Sequence, residues 1–227
     1  LNRQLLLDLD LPVGPTLANF LPGRNASVLF LLQGLARGER GERQLHLWGG
    51  PGSGKTHLLR ALGETEGACY RSSKVAAALE FNPDVRLWCI DDVDAAPAEV
   101  QIALFGLINA VRDTPSTALV TAANAPPLHL RLREDLRTRL GWGPVFQIEP
   151  LDDAERRAAL SRRANERGLV LSEDVLNYLL THFNRDMPSL VAILDALDRY
   201  GLEKQRALTP SLVREWLASR TPIHPAP

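Results

Sequence analysis

Charge of one sign is what this chain most lacks: 26 Lys and Arg stand against 27 Asp and Glu across 227 residues, a formal net charge of -1. With no positive field over the molecule, strong autonomous DNA binding is not expected, because neutralising phosphates supplies most non-specific affinity for nucleic acid. Cysteine is nearly absent. Cys69 and Cys89 each sit inside an apolar strand-like run rather than at metal-ligand spacing, which reads as two buried thiols of a reducing compartment. No stretch approaches the roughly 18 consecutive apolar residues of a membrane span. The N-terminus lacks a basic region followed by an apolar core, so the expectation is a soluble cytoplasmic protein. Internal repeats and low-complexity tracts are missing too. The length suits one well-cored domain, or an α/β domain with a small second module.

What is present is concentrated in Gly49-Gly50-Pro51-Gly52-Ser53-Gly54-Lys55-Thr56, a full G-x-x-x-x-G-K-T spacing. An apolar run, Leu45 to Trp48, precedes it and a helix-like segment, His57 to Leu62, follows. Strand, glycine turn and helix N-terminus together make a phosphate-binding loop: backbone N–H groups converge on phosphate oxygens where no Cβ intervenes, and the helix adds the positive end of its dipole. In such a loop Gly50, Pro51, Gly52, Ser53 and Gly54 form the cradle. Lys55 supplies a charge for the β and γ phosphates, and Thr56 a hydroxyl for Mg²⁺.

Downstream, short β-rich runs alternate with helix-period segments: Ala68 to Arg71, Lys74 to Phe81, Val85 to Ile90, Ala98 to Arg112, Thr117 to Thr121. That order predicts a parallel sheet with crossover helices. A last apolar run, Pro144 to Ile148, follows a helix-like Leu130 to Leu140 and stops at Pro150. Beyond it the strand signal vanishes. Helices are expected near Asp152 to Arg167, Ser172 to Phe183, Met187 to Tyr200 and Pro210 to Leu217, with Asp152, Ser172 and Thr209 as N-caps and Gly168 and Gly201 as stops. The expected layout is a peptide and linker over 1–15, an α/β nucleotide domain over 16–150, a helical lid over 151–220 and a disordered tail over 221–227.

The third strand-like run ends in Asp91-Asp92, which puts two carboxylates at the sheet edge where α/β folds hold ligands. Asp91 is the candidate for the Mg²⁺ hydration shell, and Asp92 the candidate to orient or deprotonate water. Acid pairs after strands also serve as ordinary helix caps. Asn124 could position water or sense a γ-phosphate, or simply start the turn before Pro126-Pro127. Arg139 ends a helix that glycines halt, so it either projects beyond its own domain or neutralises the helix terminus. Arg185 begins a lid helix, from which it could reach a phosphate or stay solvated.

Together these segments resemble the AAA+ family and, within it, the branch related to the bacterial initiator DnaA. The residues carrying the likeness are Gly49 to Leu58, the Asp91-Asp92 pair where most of the family has Asp-Glu, and Arg137-Thr138-Arg139-Leu140-Gly141-Trp142-Gly143. The resemblance implies a P-loop AAA+ parallel sheet sandwiched by helices with an all-helical lid. It implies Asn124 as first sensor, Arg185 as second sensor, and Arg139 as an arginine finger acting on a neighbouring subunit's nucleotide. Phe20 to Asn25 looks like the segment lining the adenine pocket, which brings in Arg24 and Asn25; His57 belongs to the loop motif.

Two departures from a full initiator shape the functional expectation. No basic helix-turn-helix domain follows the lid within these residues, and no large N-terminal interaction domain precedes the nucleotide domain. Instead Arg3 to Leu9 looks like a sliding-clamp-binding peptide, in which Gln4, Leu5, Leu7 and Leu9 enter separate pockets; a core-covering strand or amphipathic turn is the other reading. The resemblance then implies a bacterial regulator that is bound to the β sliding clamp of DNA polymerase III, and through it to the nucleoid. There it would stimulate hydrolysis of ATP held by DnaA. ADP or ATP with Mg²⁺ is the implied cofactor, slow turnover of its own and homo-oligomers fit the same likeness, and a helicase loader or remodeller is the competing expectation. A DNA-binding initiator fragment and a small-molecule kinase fit less well.

Overall fold

The computed structural model describes residues 14–39, 41–74, 79–166, 169, 171–182, 187–206 and 208–220. Five parallel strands, β1 (Gln44–Trp48), β2 (Ala68–Ser72), β3 (Leu87–Asp91), β4 (Ala118–Ala123) and β5 (Val145–Gln147), pair in the order β2-β3-β4-β1-β5. Around them lie α1 (Ala26–Ala36), α2 (Lys55–Gly63), α3 (Ala98–Asp113) and α4 (Glu134–Leu140). Every residue of β3 and β4 is buried, which is why both read as apolar runs without a polar alternate: helices cover both faces. Leu87 and Cys89 pack with Leu32, Leu58 and Leu62 of α1 and α2, whereas Trp88 and Ile90 pack with Leu104 and Ile108 of α3. One strand thus seals two cores.

Two arginines fasten the end of the sheet away from the phosphate loop. Arg43 donates to the carbonyls of Val111 (3.1 Å), Arg112 (3.2 Å), Thr114 (2.9 Å) and Thr117 (3.0 Å), capping the C-terminus of α3. Arg86 donates to Leu35 (2.7 Å) and Ala36 (3.0 Å) at the end of α1 and to Glu66 (3.1 Å) after α2. A guanidinium suits this task because it carries several donors in a fixed fork and favours the negative end of a helix dipole. Replacing Arg86 by alanine removes three charge-assisted bonds, and a loss of about 2 kcal/mol in unfolding free energy is expected from denaturant titration.

A second compact unit begins at Pro150. Its helices, α5 (Asp153–Glu166), α6 (Glu173–His182), α7 (Met187–Lys204) and α8 (Pro210–Arg220), enclose Leu160, Leu176, Leu179, Leu194, Leu197, Leu212 and Val213. Asp152 accepts from the Glu155 N–H while Glu155 accepts from the Asp152 N–H, both at 2.8 Å, a reciprocal capping box. Ser172 and Thr209 cap α6 and α8 in one direction, their hydroxyls accepting the Val175 (3.4 Å) and Leu212 (3.2 Å) N–H. Among the described residues no helix is long and apolar enough to cross a membrane.

Several boundaries differ from the sequence expectation. α7 runs through Gly201 to Lys204 and ends where Gln205 takes φ 52°, with the Arg206 N–H on the Gly201 carbonyl (3.0 Å) and the Gln205 N–H on Leu202 (3.2 Å). This is a Schellman closure with glutamine in the left-handed position. Gly201 serves packing, since a Cβ there would approach the Arg206 carbonyl oxygen to 3.1 Å. α4 starts at Glu134, not Leu130, because Pro127–His129 forms a 3-10 turn and Leu130 and Arg133 are extended. The helix expected over Lys74 to Phe81 is absent at residues 79–81, and 75–78 lie outside the described residues. Gly168 and residues 221–227 also lie outside them.

Candidate nucleotide site

The phosphate loop spans the gap between β1 and α2, and its glycines are needed for shape. Gly52 and Gly54 adopt φ 76° and 102°, where a side chain is strained. A Cβ on Gly54 would also lie 2.8 Å from the Phe20 ring, and one on Gly49 would overlap the Ile148 carbonyl. Lys55, 7% exposed, donates from Nζ to the carbonyls of Gly49 (2.7 Å) and Gly50 (3.0 Å) and to Ser53 Oγ (3.4 Å). Burial lowers the pKa of this ammonium, and the charges of Asp91, Asp94 and Asp92 oppose that shift. A phosphate entering the loop would meet a lysine already held at its rim.

A cleft of about 310 Å³ opens beside the loop, walled by Pro51, Gly52, Lys55 and Thr56, by Asp91, Asp92 and Asp94 after β3, by Ala123 and Asn124 after β4, and by Lys74 after β2. Asp91 is 2% exposed; its Oδ1 accepts the Asp92 N–H (2.9 Å) and its Oδ2 the Tyr70 hydroxyl (3.2 Å). Asp92 turns into the left-handed region, φ 56°, and accepts from Ser72 Oγ (2.8 Å) and Lys74 Nζ (2.6 Å). Asn124 donates its side-chain amide to Asp94 (2.8 Å) and its backbone N–H to the same carboxylate (3.3 Å). The donors around Thr56 and Asp91 are hard oxygens, which suit Mg²⁺. Among the described residues no three metal-ligating side chains form a set of their own, so an ion here would draw its remaining ligands from phosphate and water.

Lys74 and Asp94 are the polar walls that sequence reading missed. Asp94 had a signal, the Asp91-Asp92-x-Asp94 spacing, which a 3-10 turn over Val93–Ala95 folds back toward Asn124. Lys74 had none, because its place depends on the register that sets Ser72 of β2 against Asp91 of β3.

Arg24, Asn25 and His57 are not among the walls of this cleft. Arg24 pairs with Glu149 at 3.2 Å on the surface. Asn25, 3% exposed, donates its amide to the Glu149 carbonyl (2.9 Å) and accepts the Glu149 N–H (2.8 Å), tying the start of α1 to the chain leaving β5. The His57 ring lies 3.0 Å from the Thr16 carbonyl and tilts against Phe20, and burial lowers its pKa. These residues brace the back of the loop. Arg185, Gln4, Leu5, Leu7 and Leu9 lie outside the described residues.

Arg139 sits one residue before the end of α4 and is half-buried. Its guanidinium carbon lies 3.7 Å from the centroid of the Trp142 ring and 5.2 Å from that of Phe105, and Arg112 approaches Trp142 at 4.7 Å. Trp142 is 43% exposed, so this platform opens to solvent. Among the described residues no carboxylate pairs with Arg139; aromatic faces hold its charge without neutralising it.

Comparison with known proteins supports the fold. A family model described as "Hda, lid domain" matches residues 153–217. Domain III of the replication initiation protein DnaA from Thermotoga maritima superposes with a TM-score of 0.76 at 23% identity, covering 95% of this chain and all of that one. AMPPCP-bound DnaA from Aquifex aeolicus gives 0.70 at 22% identity over 83% of this chain and 66% of that one. The Thermotoga maritima RuvB branch migration motor gives 0.67 at 16% identity over 90% of this chain and 72% of that one. At these identities the shared property is the fold, a parallel sheet between helices followed by a helical lid. Residues 153–217 are thus similar to the lid domain of Hda, and the chain shares its fold with DnaA domain III.

Proposed function

We propose that this protein is a negative regulator of bacterial replication initiation: held on the DNA sliding clamp by Gln4, Leu5, Leu7 and Leu9, it presents Arg139 to ATP bound by DnaA and stimulates its hydrolysis. The observation that carries the reading is the half-buried Arg139, its guanidinium held on an aromatic platform beside the exposed Trp142 with no carboxylate partner among the described residues. A cation so placed can stabilise charge on a transferring phosphoryl group in a second protein's site. The near-neutral net charge of -1 fits a protein brought to DNA by a partner rather than by phosphate contacts of its own.

The chain's own cleft binds an adenine nucleotide, ADP or ATP, in this reading. Loop N–H groups and Lys55 take the phosphates, Thr56 and Asp91 hold Mg²⁺, and Arg185 is the candidate second sensor. Arg24, Asn25 and His57 support the base end through the bracing contacts they make. When bound, Mg²⁺ supplies charge neutralisation for the phosphates. The nucleotide acts mainly as a conformational brace, so purified protein should release ADP on denaturation.

The test is a reconstitution. Radiolabelled ATP is loaded on DnaA, and its conversion to ADP is followed with clamp-loaded DNA, with and without this chain. Faster conversion that requires both the chain and the clamp is expected. Conversion that the chain leaves unaltered refutes the proposal, and stimulation that is as strong without the clamp refutes the recruitment step.

A further inference from the structure

Gln44, the half-buried first residue of β1, reaches the end of α4 that carries Arg139. Its side-chain amide donates to the Arg139 carbonyl at 2.5 Å, an oxygen that also accepts the Trp142 N–H at 3.2 Å. That carbonyl is among the last of α4, which no further helical turn can satisfy. The chain then returns to the same residue. A Cβ on Gly143 would overlap the Gln44 carbonyl oxygen, so only glycine lets the backbone after Trp142 lie flat there. His46, two residues along β1, donates its N–H to the Pro144 carbonyl at 3.0 Å, just before β5 begins. Arg139 to Gly143 is therefore a short arch with both feet on Gln44, and the stack of Arg139 on Trp142 spans it. The base of the arch is itself fixed. Gln44 pairs with Leu119 of β4, and the preceding Arg43 caps α3, the helix whose Phe105 and Arg112 complete the platform.

We propose that Gln44 is a positioning residue for Arg139: its amide holds the backbone from which the guanidinium is presented to a phosphoryl group in a second protein's site. A charge supplied in trans acts only where it is placed, and a misplacement of about 1 Å can cost about 10²-fold in rate. Stacking alone leaves that placement loose, because a cation is attracted anywhere within about 6 Å of a ring centroid. A hydrogen bond at the root of the side chain removes this freedom. Glutamine suits the task, since its neutral amide carries the donor that a carbonyl needs and adds no charge to compete for the guanidinium. The inference rests on the functional reading of Arg139 above and deepens it.

Four variants of the full chain test it: Gln44→Leu, Gln44→Lys, Arg139→Ala and the Gln44→Leu/Arg139→Ala double variant. Single-turnover hydrolysis of DnaA-bound ATP on clamp-loaded DNA is followed over a range of chain concentrations. Gln44→Leu, close in size but without a donor, is expected to lower the maximal stimulated rate by about tenfold or more. The concentration giving half the effect should stay within about twofold, because the contact surface is kept and only placement is lost. Gln44→Lys restores a donor on a side chain of similar reach and should recover most of the rate. In the Arg139→Ala background Gln44→Leu should cost nothing further, since it acts through that side chain. A second readout needs no partner: the ¹⁹F resonance of 5-fluorotryptophan at Trp142, assigned with Trp142→Phe, should shift in Gln44→Leu and return in Gln44→Lys, while that of Trp216 stays in place. An undiminished maximal rate in Gln44→Leu overturns the proposal. So does a loss confined to half-saturation, one that Gln44→Lys fails to recover, one that persists without Arg139, or an unmoved Trp142 resonance. If Gln44→Leu does not fold, Gln44→Asn, one methylene too short, takes its place with the same expectations. Failure of the wild-type chain to stimulate DnaA would instead remove the functional reading beneath the proposal, and the positioning role with it.

Discussion

On the function proposed above, replacing Arg139 by alanine should lower clamp-dependent hydrolysis of DnaA-bound ATP by about 10³-fold or more, the scale on which a guanidinium supplied in trans acts. That factor is about 4 kcal/mol of transition-state stabilisation. Against it stands the stacking that holds the half-buried side chain 3.7 Å from Trp142, worth about 0.5 to 2 kcal/mol. On these figures the platform is too weak to retain the guanidinium against a phosphoryl group. Arg139 is not a wall of the cleft that holds Lys55 and Asp91, so ADP binding by the variant should be unaltered. Arg139→Lys should recover little, because lysine keeps the charge and loses the planar fork. Stimulation that survives Arg139→Ala in single-turnover assays refutes the role.

How much of this was legible beforehand follows from the range over which each feature is encoded. The phosphate loop is local: strand, glycines, Lys55 and helix start lie within one short run, so pattern and chemistry coincide. β3 and β4 are legible for a different reason, since burial on both faces leaves no polar residue to interrupt them. The parallel sheet and helical lid follow from that alternation and its end. What stayed hidden depends on register and on distant partners. Lys74 meets Asp92 only once β2 and β3 align, and Arg43 and Arg86 look like surface charges until four and three distant carbonyls converge on them. Gly201 misled because a glycine near a helix end usually stops it; here close packing against the Arg206 turn needed the glycine, and Gln205 took the stop. Asn25 illustrates the opposite case, a residue noticed for a ligand whose amide is spent on Glu149.

Unfolding free energy should fall by about 3 kcal/mol between pH 7 and pH 4 through one ring, that of His46. His46 is fully buried in β1; burial pushes its pKa down to about 4, while the Ala125 backbone and the Asp94 charge oppose the shift only in part. In the unfolded chain the same ring titrates near 6.5. As pH falls below that value the unfolded state takes up a proton that the folded state refuses until about pH 4, so stability is present above the window and drains away across it. His46→Leu, which removes the titration and keeps an apolar side chain in the core, should flatten the dependence between pH 6.5 and pH 4.5 in urea titrations. A slope as steep as wild type would assign the loss to other groups. The consequence reaches the site, because His46 Nδ1 lies 2.8 Å from Thr121 Oγ1 and the two residues are register partners in β1 and β4. Those strands lead directly into the phosphate loop and into Asn124, so the joint that mild acid weakens is the one from which both walls of the cleft extend.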